Sequence, residues 1–107
     1  LELKVDYFLE LNYDASRPLT IWGAGQKGKK VAQLLQKKQI PFVWICDNPK
    51  KIGKHIYDEL LYSFEHLKIL ENPQCIVNVA NTKAQLEIKA YFNTQKMMSM
   101  IDYFLFC

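Results

Sequence analysis

Between residues 21 and 30 the chain reads IWGAGQKGKK, three glycines at the spacing G-x-G-x-x-G between two apolar segments of different period. The run before them, LTIW, is short, β-branched and aromatic, as a strand reads. After them Val31, Ala32, Leu34 and Leu35 fall on one side of a helical wheel, with lysines and glutamines opposite. A strand that turns into a helix through glycines restricts the fold sharply. Gly23 permits the tight turn, Gly25 bares the backbone, and Gly28 lets the helix lie close to the strand.

The same alternation continues along the chain. Phe42 to Cys46 (FVWIC) is apolar at every position, which marks a strand covered on both faces. Asp47 and the Asn48-Pro49 turn end it. No clean period follows; short extended pieces are expected around His55 to Tyr57 and Leu60 to Tyr62. Ser63 can cap a helix running to Leu70, which Pro73 ends. CIVNVA reads as a strand, Thr82-x-x-Gln85 as a capping box for the helix with Ala84, Ile88, Tyr91 and Phe92 on one face, and DYFLFC as a last strand. A leading helix over residues 2 to 12 precedes the polar stretch NYDASR.

Strands separated by helices of about a dozen residues imply parallel pairing with right-handed crossovers. The expected architecture is therefore α/β, a three-layer Rossmann-like doubly wound parallel sheet of about five strands in the order 3-2-1-4-5. Its switch point lies at the carboxyl ends of the first and fourth strands. At 107 residues there is room for one domain, with residues 1–17 as a leading helix and linker. Leu1 in place of methionine suggests a piece of a longer protein.

Charge narrows the partners. Residues 27 to 54 hold eight lysines and one acid, Asp47, while the rest carries six basic and ten acidic residues. Such a cationic segment around a glycine loop draws an anion. With one arginine in the chain and no aromatic residues interleaved among these lysines, nucleic acid is not expected. No apolar run approaches the roughly 18 residues of a membrane span, and three widely spaced cysteines fit a reducing, cytoplasmic setting. Cys46 and Cys75 read as buried thiols.

An anion at the loop has a physical basis. The first amides of a helix lack intrahelical partners and carry the positive end of the helix dipole. Lys27 adds a direct charge. Asp47, 22 residues after Gly25, stands where an acid can accept from ribose hydroxyls and disfavour a 2′-phosphate. The candidate binding residues are Gly23, Ala24, Gly25, Gln26, Lys27, Gly28, Asp47, Asn48, Ala80 and Asn81. No residue combination suggests a catalytic nucleophile or a metal site. His55 and His66 have no acid or cysteine at ligand spacing, Trp22 and Trp44 read as core residues whose edges could wall the crevice, and Met97, Met98 and Met100 as gap filling or an adaptable contact surface.

The segments WGAGQKGKK, CDNPKKIGKHIYD, SFEHL, CIVNVAN and DYFLFC together resemble the small Rossmann-like domain at the carboxyl end of bacterial family 2 glycosyltransferases of the Bacteroides type. The likeness covers residues 18 to 107. More distantly, the pattern is similar to the nucleotide-sugar binding domain of sugar acetyltransferases. The resemblance implies an upstream catalytic domain in the same chain, bearing a D-x-D motif that residues 1–107 lack, and a role in cell-surface polysaccharide synthesis. It implies a nucleotide or nucleotide-sugar as ligand, with no catalytic residue and no required cofactor in this domain. Two other readings stand beside it: an NAD-binding oxidoreductase-type domain, and a ligand-free interaction module that pairs as a homodimer through DYFLFC or the methionine segment.

Overall fold

The computed structural model describes residues 1–106. In chain order its elements are α1 (Glu2–Leu11), β1 (Leu19–Trp22), α2 (Gln26–Lys37), β2 (Val43–Cys46), β3 (His55–Ile56), β4 (Glu59–Ser63), a 3₁₀ helix (Phe64–Ile69), β5 (Gln74–Val77), α3 (Thr82–Thr94) and β6 (Tyr103–Leu105). The strands form one sheet in the order β3-β4-β2-β1-β5-β6, parallel throughout except for the β3–β4 pair.

The strand count and order differ from the expected five in the order 3-2-1-4-5. The difference comes from β3, two residues that fold back on β4 with His55 opposite Leu60 and Ile56 opposite Glu59. Tyr57 and Asp58 make that reversal with φ of 52° and 64°, the left-handed pair that a two-residue hairpin turn requires. Neither is the asparagine or glycine that usually announces such a turn.

Side-chain alternation divides the core into two layers. Ile21, Trp44, Ile76 and Phe104 meet Val5 and Phe8 of α1 and Val31, Leu34 and Leu35 of α2 on one face. Trp22, Ile45, Cys75, Val77 and Tyr103 meet Leu67 and Ile88 and Phe92 of α3 on the other. The central strand β1 is buried at all four positions, its one polar side chain, Thr20, donating to the Gln74 carbonyl at 3.0 Å. Each large apolar side chain so buried contributes about 1.5–3 kcal/mol.

Helix ends depart from the expected signals. Ser63 does accept from the Glu65 amide at 3.3 Å, but what it opens is a 3₁₀ helix. In place of Thr82, Asn81 caps α3, its side chain accepting from the Ala84 amide at 3.0 Å, while Gln85 turns away to donate to the Val79 carbonyl. Both α2 and α3 stop in Schellman turns with non-glycine residues in the left-handed position. Ile40 donates to the Leu35 carbonyl past Gln39 (φ 59°), and Met97 to the Phe92 carbonyl past Lys96 (φ 58°).

Candidate functional site

Two of the three loop glycines are fixed by packing. Gly23 has φ of +121°, and a Cβ on it would stand 2.8 Å from the Asn78 carbonyl oxygen. A Cβ on Gly28 would come within 2.0 Å of the Gly23 carbonyl oxygen, so only glycine lets α2 approach β1 this closely. Gly25 differs: its φ of −82° suits any residue, and a Cβ there would meet nothing within 4 Å. The bare backbone at Gly25 faces open space.

That space is a cleft of about 630 Å³ lined by Gly25, Gln26, Lys27, Lys30, Lys51 and Tyr57, among others, with no acid in its wall. Gly25 is the N-cap of α2, and no side chain caps the first turn. The leading amides of the helix and several ammonium groups therefore act on one concave surface, an arrangement suited to an anion.

The loop after β2 supplies the far wall. Asn48 shapes it: its side chain accepts from the Lys50 amide at 3.0 Å, and its carbonyl accepts from the amides of Lys51 at 2.9 Å and Ile52 at 3.1 Å. This turn brings Lys51 back over the glycine loop, where its ammonium donates to the Ala24 carbonyl at 2.6 Å. Tyr57 is placed by Gln36 of α2, which donates to its carbonyl at 2.9 Å. The Gly23 carbonyl is held from the core side, by the Trp44 indole N–H at 2.8 Å.

Of the residues expected to bind, Gly25, Gln26 and Lys27 line this cleft, while Gly23, Ala24 and Gly28 are buried behind it. Asp47 lines a different cleft, of about 290 Å³, with Trp22, Phe64, Glu87 and Tyr91. Alternation along β2 is the reason. Ile45 belongs to the α3 face and Cys46 to the α2 face, so Asp47 falls on the α3 side of the sheet. Asn48 spends its polar groups on the loop, Asn81 spends its carbonyl on capping α3, and Ala80 is exposed.

Lys51 and Trp44 are absent from the expected set although both touch the glycine loop. Lys51 belonged to the cationic segment visible in the sequence, but only the path of its loop singles it out. Trp22 and Tyr91 pack edge to face at 5.9 Å, and among the described residues neither the Trp22 indole nitrogen nor the Tyr91 hydroxyl has a hydrogen-bond partner. Among the described residues no group of three or more histidines, cysteines or acids is placed to hold a metal ion, and no helix is long and apolar enough to cross a membrane. The chain matches no protein-family model and no curated protein in sequence comparisons.

Proposed function

We propose that this domain binds the diphosphate of a nucleotide or nucleotide-sugar at the glycine loop, as an accessory module of a glycosyltransferase that builds cell-surface polysaccharide. The observation that carries the binding reading is the acid-free cationic cleft at the uncapped start of α2, open where Gly25 lacks a side chain. The choice of a glycosyltransferase over an NAD oxidoreductase rests on the resemblance of WGAGQKGKK and CDNPKKIG. No transfer chemistry is assigned to these residues; the domain holds its ligand and the catalytic part of the chain acts on it.

The test is calorimetric titration of the domain with UDP-sugars, UDP and NAD, paired with Gly25→Val. The φ and ψ at Gly25 (−82° and −164°) admit valine, so the variant should fold and lose the ligand. Lack of binding by any of these compounds at millimolar concentration, in protein with a native melting transition, overturns the reading. A second reading, docking onto another protein surface, draws on Leu3, Tyr7 and Leu11, which repeat along the outer side of α1 and are 62%, 54% and 71% exposed. Gel filtration across protein concentrations separates it from the first.

A further inference from the structure

The ammonium of Lys51 is half-buried and electrically uncompensated. Its bond to the Ala24 carbonyl is the one hydrogen bond it makes among the described residues, which leaves two of its three N–H groups unused. The ion pairs among the described residues are Arg17–Asp102 and Lys38–Asp6, and neither involves Lys51. Lys27 and Lys30 share its cleft and add to the positive potential. A cation drawn partly out of water without a counter-ion is costly unless a partner arrives.

A second observation at the same junction stands apart from the lysines. Asn78 is 7% exposed, and among the described residues neither its side-chain oxygen nor its nitrogen has a hydrogen-bond partner. The register pairs Trp22 with Val77, so Asn78 comes beside Gly23, and its amide continues the ladder by donating to the Trp22 carbonyl at 2.9 Å. Alternation puts its side chain on the face of Ile21 and Ile76, the face that α2 covers, against the start of the glycine loop. Buried amides are rarely left unsatisfied, and this one lies beside Gly23 where the loop leaves β1, on the β5 side and outside the wall of the lysine cleft.

We propose that Lys51 is the residue that recognises the phosphate, its ammonium bridging a phosphate oxygen and the Ala24 carbonyl at the start of α2. The inference rests on reading the cleft as a phosphate site and names which of its lysines matters. The Ala24 bond holds the side chain across the cleft before the ligand arrives, so little rotamer freedom remains to be lost on binding. Lys27 and Lys30, both exposed on α2, act through the field rather than by a fixed contact.

The experiment is calorimetry with UDP and with inorganic pyrophosphate on wild type, Lys51→Met, Lys51→Arg and Lys50→Met, after a melting curve for each. Methionine keeps an unbranched apolar stem and removes the charge. A charge-assisted hydrogen bond implies a loss of roughly ten- to hundredfold in affinity for both probes in Lys51→Met, with Lys51→Arg close to wild type and Lys50→Met within about twofold. Loss of UDP affinity alone would assign Lys51 to the nucleoside and overturn the proposal. Wild-type binding that survives Lys51→Met unchanged overturns it too, leaving the cleft reading intact, whereas wild type that binds neither probe removes both. Should Lys51→Met fail to fold, Lys51→Gln against Lys51→Arg makes the same comparison of charge lost and charge kept.

Discussion

Arg17, just before β1, and Asp102, just before β6, form an ion pair of 2.6 Å with both side chains largely out of solvent, at 11% and 17% exposure. The guanidinium also donates to the carbonyls of Asn72, Pro73 and Ile101, and the second carboxylate oxygen accepts from the Met98 amide at 2.7 Å. Three loops at the amino-terminal edge of the sheet thus share one charged knot.

Asp102→Ala leaves that guanidinium enclosed without its counter-charge and frees the Met98 amide. Loss of one partner of a mostly buried pair costs about 3–5 kcal/mol when burial is complete, and the residual exposure here puts the expected loss near the lower end. Equilibrium unfolding in urea measures it; a change below about 1 kcal/mol would mean that the loops hold without the pair.

Gly28→Ala and Gly25→Ala should behave as opposites although both sit in one motif. At Gly28 the new methyl would overlap the Gly23 carbonyl, so α2 must shift, at about 3 kcal/mol or more. At Gly25 the methyl enters open space, and the loss at an N-cap is held to about 1 kcal/mol. Paired thermal melts decide the matter.

Burial pushes the Cys75 thiol up to about 12 from an ordinary 9.0, against smaller opposing effects of Thr20 and the Trp22 backbone. A raised folded value means full stability below the unfolded value and progressive loss as pH climbs from about 9 toward 12. Cys75→Ala should flatten that alkaline decline in a series of urea midpoints. In the native protein at pH 8, mass mapping after iodoacetamide should find Cys75 unmodified, and modified once urea is added.

The Ser16 hydroxyl, followed by the Ser16 amide, holds the exposed Asp14 carboxyl below its ordinary 3.8. Because the folded value is depressed, the associated stability is present above the unfolded value and disappears as pH falls through the folded one. Ser16→Ala removes the larger contribution and keeps the amide. Titration followed by carboxyl carbon NMR should show Asp14 moving up toward the ordinary value; an unmoved midpoint would count against the hydroxyl as the cause.

Much of the architecture was legible because each buried element carries an undiluted signal. LTIW could be located by its β-branched and aromatic residues, FVWIC by apolarity alone, and α2 by its spacing of Val31, Leu34 and Leu35. What escaped depends on conformations that residue type does not announce. Tyr57 and Asp58 turn the β3–β4 hairpin in a region that side chains disfavour and only tertiary contacts impose.

The candidate site was legible in the same uneven way. The glycine spacing locates the helix start, since its steric demands are local. Which cleft Asp47 enters is set by the parity of β2, and a residue count from Gly25 does not contain that. Lys51 reaches Ala24 across 27 positions of sequence through a loop folded around Asn48, a contact invisible to any motif.

Because Gly23 and Gly28 answer to a carbonyl oxygen apiece, selection for folding alone would preserve both whether or not anything ever occupied the neighbouring hollow. The middle glycine has no such obligation. Across descendants of this module, drift at position 25 therefore serves as the gauge of a lost ligand, and persistence of the outer two tells only that the sheet and helix still meet.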